Sequence, residues 1–136
     1  MAFVLDCSVA LAWVLPDEDN GAADLLADRL ERESVYVPSI WSLEVGNALL
    51  GAQRRGRITE GELIRLAGEM AALPVEVAPD MGAAAFGDVL QLARELGLTT
   101  YDAAYLELAR RRSVALATLD IPLRQACATL KIPVLP

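Results

Sequence analysis

Four carboxylates carry the chemistry that this sequence can offer: Asp6, Glu44, Asp102 and Asp120. The chain contains no histidine. Imidazole general bases, Ser-His-Asp triads, histidine-ligated zinc and histidine-bound haem are therefore excluded. Catalysis has to come from carboxylates, hydroxyls, thiols or a hard cation. Cys7 and Cys127 have no metal-ligand spacing and stand in apolar surroundings, which suits reduced thiols in a cytoplasm.

The acids must be positioned by the elements around them. Ala2-Phe-Val-Leu5 reads as a strand ending at Asp6, followed by a helical pattern through Trp13-Val14 that Pro16 stops. Here Asp6 or Ser8 could equally serve as a helix cap. An acidic turn from Asp17 to Gly21 leads into a helix with Leu25, Leu26 and Leu30 on one side. Val35-Tyr-Val37 is a second strand, and Pro38 suits the start of a helix that Gly56 ends. On that helix Ile40, Glu44, Asn47 and Gly51 form one stripe, and Trp41, Val45, Ala48 and Ala52 another. An unpaired carboxylate among apolar neighbours is costly, so Glu44 calls for a cation, a metal or a hydrogen-bond partner. Asn47 could orient it, or the two could form a structural contact between helices.

Thr59-x-x-Glu62 reads as a capping box for a helix to about Leu73, and Pro74–Val77 as a short strand. Asp80 can cap one helix carrying Met81, Ala84, Ala85, Val89, Leu92, Ala93 and Leu96, which Gly97 stops. Thr99 or Thr100 then caps a helix from about Tyr101 to Arg112 with Asp102 in its first turn, where Asp102 also reads as an acidic capping-box partner. Val114–Ala117 is a buried strand, and Asp120 lies beyond it, at an α/β site position or simply in a turn before Ile121-Pro122. A helix from Leu123 to Leu130 and a final strand or tail at Ile132–Leu135 follow.

Strands alternating with helices imply a three-layer α/β sandwich, its mainly parallel sheet of about five short strands covered on both faces. At 136 residues the chain reads as a single domain, 1–136, able to bury roughly two-thirds of its unfolded surface. Although 54 % of its residues are hydrophobic, none of its apolar runs approaches the roughly 18 residues a membrane helix needs, and no signal peptide is expected. In this architecture Asp6, Asp102 and Asp120 share one sheet edge, and Glu44 enters from the helix after strand two. Four converging carboxylates repel unless neutralised, so the expected guest is magnesium or manganese. The matching reaction is metal-assisted phosphodiester hydrolysis. A net charge of −7 argues against a general nucleic-acid coat but not against a nuclease, whose cations reverse the local sign.

The set FVLDCS, SLEVGNAL, LTTYDAAYLELA and ALATLD resembles the PIN-domain ribonucleases, in particular the VapC-type toxins of bacterial and archaeal toxin–antitoxin pairs. The resemblance spans nearly the whole chain and implies a magnesium-dependent endoribonuclease, the toxin of a type II pair. By that resemblance Asp6, Glu44, Asp102 and Asp120 are the catalytic, metal-binding acids, with Ser8, Asn47 and Thr118 as accompanying polar positions. It further implies a homodimer, an RNA substrate and a cognate antitoxin. Some family members carry another acid where this chain has Pro122, so one firmly held magnesium and a weaker second are expected.

Arg54, Arg55, Arg57 and Arg110, Arg111, Arg112 could guide RNA phosphates, or be ordinary helix-end charge. The helices flanking Trp13 and Trp41 offer aromatics for an antitoxin or for the core. Two other readings stand beside the nuclease. One is a catalytically silent PIN-like binding module. The other is a receiver-type phospho-acceptor, which wants paired acids after strand one and a lysine near the last strand, whereas Cys7 follows Asp6 and Lys131 is the only lysine. An aspartate-nucleophile phosphatase would want an acid where Ser8 stands.

Overall fold

A computed structural model of the chain describes residues 1–18, 20–79 and 81–136. The elements follow as β1 (Ala2–Leu5), α1 (Cys7–Val14), α2 (Gly21–Ala27), β2 (Ser34–Val37), α3 (Trp41–Arg54), α4 (Glu60–Ala71) and β3 (Glu76–Val77). Then come α5 (Met81–Phe86), α6 (Asp88–Leu96), α7 (Thr100–Arg112), β4 (Ala115–Ala117), α8 (Ile121–Leu130) and β5 (Val134–Leu135). A 3₁₀ turn, Asp28–Glu31, links α2 to β2.

The strands form one five-stranded sheet in the order β3-β2-β1-β4-β5, and every described pairing is parallel. From β1 the chain winds outward through β2 to β3, then crosses back to β4 and on to β5. Right-handed crossovers in opposite directions place helices on opposite faces. In agreement, α1 packs on α2 and α3, and α3 on α4, while α7 packs on α5, α6, α8, β1 and β4. Phe3, Val4, Leu5, Leu116 and Ala117 are fully buried between these layers, as near-continuous apolar runs in a parallel sheet require. The three-layer parallel architecture expected from the alternating pattern is the one observed.

Local chemistry sets most of the element ends. Thr59 and Glu62 make the reciprocal capping box at the start of α4. Gly97 ends α6 with φ of +65°, a conformation that side chains with a Cβ adopt reluctantly. The expected long helix before Gly97 is instead two helices, because Gly87 (φ −109°, ψ −107°) leaves the helical region between α5 and α6. The expected cap Asp80 and the Met81 side chain lie outside the described residues. On α2 and the turn after it, Leu26 and Leu30 are buried but Leu25 is 70 % exposed, since neighbouring helical positions face apart. Trp41 is buried and Trp13 half-buried, its Nε1 donating to the Ala23 carbonyl at 2.7 Å, so both belong to the core. Among the described residues no helix is long and apolar enough to cross a membrane.

Candidate carboxylate site

The sheet changes winding direction at β1, between β2 on one side and β4 on the other. Crevices at such points, beyond the carboxyl ends of the strands, are where parallel α/β folds gather ligands. Leu5 pairs with Ala117 in register, so the next residues, Asp6 and Thr118, emerge side by side. Thr118 Oγ1 donates to Asp6 Oδ2 at 2.7 Å, and Ser8 Oγ donates to the same oxygen at 2.7 Å. Ser8 Oγ in turn accepts the Leu119 amide at 2.9 Å, and Thr118 Oγ1 accepts the Asp120 amide at 3.1 Å. Asp6 is 5 % exposed and Thr118 fully buried, which leaves the Asp6 carboxylate with one oriented, occupied oxygen.

The other three acids approach from separate elements. Asp120 is the N-cap of α8, its Oδ2 accepting the Leu123 amide at 3.1 Å, with Pro122 in that helix's first turn. Asp102 lies in the first turn of α7, whose N-cap Thr99 accepts the Asp102 amide at 3.1 Å. Glu44, in the first turn of α3, accepts a 2.6 Å hydrogen bond from the Tyr105 hydroxyl across the sheet edge. Asn47, by contrast, is exposed, and no hydrogen bond from it to Glu44 is present.

These carboxylates influence one another. Burial pushes Asp6 above the ordinary carboxylate range, opposed by the Ser8 and Thr118 hydrogen bonds and reinforced by the charge of Asp120. Burial also raises Glu44, against the Tyr105 hydrogen bond and with the help of Asp6 and Asp102. Asp102 is raised by burial and then by Asp120 and Asp6. No Lys or Arg forms an ion pair with any of the four among the described residues. The Cys7 thiol is pushed far up, first by burial and then by Asp6 and Glu44, so it stays protonated and is no nucleophile here.

Among the described residues no three Asp, Glu or Cys side chains are drawn together tightly enough to ligate one ion. Like charges without a counter-ion stand apart. The donor set nevertheless suits a hard divalent cation: every group is an oxygen donor, and three of the four are held partly toward the protonated form by burial and by one another.

The basic clusters lie elsewhere. Helices α3 and α7 both run away from this sheet edge, so Arg54 and Arg110–Arg112 are roughly 12–15 Å from the acids along their helices, at about 1.5 Å per residue. Arg57 is bound to Asp17 at 2.7 Å, Arg111 to buried Glu107 at 2.8 Å, and Arg112 stacks on the Tyr36 ring at 4.6 Å. Lys131, which a phospho-acceptor would want beside Asp6, sits at the far end of α8.

Two residues of this region escaped sequence reasoning. Tyr105 is fully buried one helical turn after Asp102, and a buried tyrosine hydroxyl needing a partner was the available signal. Arg124, four residues after Asp120, donates from Nη1 to the Thr118 carbonyl at 2.8 Å and from Nη2 to the Pro136 carbonyl at 3.1 Å, bracing the β4 exit.

With this geometry in view, the sequence pattern of the PIN domain matches residues 3–128. The chain belongs to the PIN-domain family. Over 133 residues it is 29 % identical to ribonuclease VapC3 of Pyrobaculum aerophilum, covering 98 % of this chain and all of that protein. The crystal structure of PAE2754 from the same organism superposes with a TM-score of 0.68 at 26 % identity, over 98 % of this chain and 83 % of that one. VapBC2 from Rickettsia felis, solved bound to a DNA fragment from its promoter, matches with a TM-score of 0.68 at 11 % identity, over 98 % and 97 % of the two chains. In this PIN chain the acids and their hydroxyl partners therefore occupy the switch-point edge of a sheet shared with proteins of widely different sequence.

Proposed function

We propose that this PIN protein is an endoribonuclease that hydrolyses RNA phosphodiester bonds with magnesium, or manganese in its place, held by Asp6, Glu44, Asp102 and Asp120. The observation that carries this reading is the mutual influence of the four acids: Asp6, Glu44 and Asp102 are each pushed up in pKa by burial and by another acid of the set, Asp120 among them, and none of the four has a basic ion-pair partner among the described residues. Such a cluster is stabilised most directly by a hard cation. When bound, the cation lowers the pKa of an attacking water and stabilises the developing charge on the leaving oxygen.

The chain's own residues supply orientation. Ser8 and Thr118 fix Asp6 through Oδ2. Tyr105 fixes Glu44, and the cap bond to Leu123 fixes Asp120. Asn47 faces the opening and is available to substrate or water. Identity to ribonuclease VapC3 along the full length supports RNA as the substrate. From the VapC-type resemblance we extend the reading to a type II toxin, a homodimer restrained by a cognate antitoxin and acting in the cytoplasm. Pro122, in the first turn of α8, offers no side-chain oxygen for a second ion, which favours one firm site.

The test is cleavage of total RNA by the purified protein with magnesium, manganese or EDTA, beside folded Asp6→Asn and Asp102→Asn variants. Metal-dependent cleavage lost in both variants is the expected result. Cleavage indifferent to EDTA and to both substitutions would overturn the carboxylate centre. No cleavage by any form, with growth arrest that persists in the Asp6→Asn variant, would favour a binding-only role.

A further inference from the structure

One cleft adjoins the carboxylates and shares only Glu44 with them. It lies between the N-terminal ends of α3 and α7, has a volume of about 290 Å³, and is lined by Ile40, Leu43, Glu44, Asn47 and Tyr101. Three of these, Ile40, Glu44 and Asn47, are the stripe that stood out in the sequence of α3. Glu44 is shared between this cleft and the carboxylate site, so an occupant would sit beside the reacting phosphate.

The lining has an uncommon combination of properties. Leu43 is 73 % and Tyr101 59 % exposed, and together with half-buried Ile40 they leave an apolar and aromatic wall open to solvent. Asn47 is exposed on the same wall, and its amide, which carries both donors and an acceptor, has no hydrogen bond among the described residues. No Lys or Arg lines the cleft, and Glu44 does, so a phosphate group would be repelled. The volume is at the lower end of small-molecule pockets, roughly 300 Å³, which suits one small planar group better than a folded segment. A neutral ring with a hydrogen-bonding edge meets every one of these conditions.

We propose that this cleft is a nucleobase subsite. One unpaired base, next to the phosphodiester that is cut, stacks on Tyr101 against Leu43 and presents its edge to the Asn47 amide. The inference rests on the ribonuclease reading above and goes beyond it in naming the residues that receive one base, which must be unpaired because a base inside an A-form duplex is not free to enter. Stacking on an aromatic is tolerant of base identity, so any discrimination falls to the edge contact with Asn47.

The experiment uses an oligoribonucleotide containing a cut site mapped in total RNA, with single abasic positions scanned across both sides of the cut. It is cleaved by the wild type and by Tyr101→Ala and Tyr101→Trp variants, whose folding is checked by thermal melting. At one position beside the cut, loss of the base is expected to lower kcat/KM about tenfold in the wild type. That penalty disappears in Tyr101→Ala and is retained in Tyr101→Trp. If the penalty at every position is the same in wild type and Tyr101→Ala, the cleft reads no base, and its exposed face is left to a protein partner. Absence of any magnesium-dependent cut by the wild type removes the ribonuclease reading and this subsite together, whereas an intact cut with a Tyr101-independent abasic profile removes the subsite alone.

Discussion

The Tyr105 hydroxyl, fully buried on α7, donates a 2.6 Å hydrogen bond to Glu44 Oε1 on α3, joining the two helix layers over the carboxyl edge of the sheet. The bond does two things. It gives a buried hydroxyl its partner, and it restricts the rotamers of a glutamate that burial would otherwise favour protonating. Tyr105→Phe keeps the ring and removes only the donor. It is expected to cost about 1.5–3 kcal/mol in thermal unfolding, as for a hydrogen bond to a charged group. It is also expected to weaken manganese binding, measured by titration calorimetry without RNA. In a Glu44→Gln background the same change should leave manganese affinity unaltered; an equal loss there would show that Tyr105 does not act through Glu44.

Thr118 is the most constrained polar residue near Asp6. It is fully buried, donates to Asp6 Oδ2 at 2.7 Å and accepts the Asp120 amide at 3.1 Å. Thr118→Val preserves shape, strands the Asp120 amide and leaves Asp6 Oδ2 with Ser8 alone, so a destabilisation of about 2–3 kcal/mol is expected, more than for loss of a single exposed bond. Asp6→Asn differs in direction. Its amide oxygen still accepts from Ser8 and Thr118, and a like charge is removed. The metal-free variant should therefore unfold at the same temperature as the wild type or higher, while RNA cleavage falls by at least a hundredfold. A marked loss of stability in Asp6→Asn would contradict the repulsion argument.

The raised carboxyls of Asp6, Glu44 and Asp102 set a pH dependence for the metal-free protein. Each group binds its proton more tightly folded than unfolded, so the folded state carries more protons between the unfolded values, roughly pH 4, and the raised folded ones. These three acids therefore favour folding at mildly acidic pH, and that advantage is lost as pH rises through their folded values. Exposed Asp17 and half-buried Glu33, lowered by Arg57 and Arg29, pull the opposite way, but only at and below the ordinary carboxylate range. Melting temperature without metal should thus fall as pH rises from roughly 4, the ordinary carboxylate value, through the raised folded ones, and magnesium should restore it above them. A metal-free melting curve that rises over this range would show that the carboxylate cluster is not under electrostatic strain.

The layering was readable because strands and helices alternate, and because a short apolar run between helices fits only a parallel strand buried on both faces. Thr118 was marked only through the family resemblance; its meeting with Asp6 follows from the pairing of β1 with β4, a strand order that the alternation of elements does not encode. The division of α5 from α6 was harder to read. Gly87 looks like any tolerated helical glycine until its ψ of −107° is known. Partnerships such as Tyr105–Glu44, 61 residues apart, depend on how α3 and α7 tilt over the sheet edge, which no local periodicity encodes. Asn47 was the plausible orienting residue by helical spacing alone, yet it lies exposed on the cleft wall while Tyr105 holds Glu44.

The arginines at the far ends of α3 and α7 separate binding from chemistry. They are roughly 12–15 Å from the acids along their helices, too far to contact the phosphate that is cut. Arg57, Arg111 and Arg112 already serve intramolecular contacts, whereas Arg54, Arg55 and Arg110 form no ion pair among the described residues. If RNA extends over that end of the molecule, the triple variant Arg54→Glu, Arg55→Glu, Arg110→Glu should raise KM several-fold and flatten its dependence on salt, because fewer phosphate counter-ions are released. Turnover at saturating RNA should hold, since the carboxylates are untouched. An unchanged KM and salt slope would assign these side chains to helix-end electrostatics, and a fall in kcat alone would mean that they reach the reacting phosphate after all.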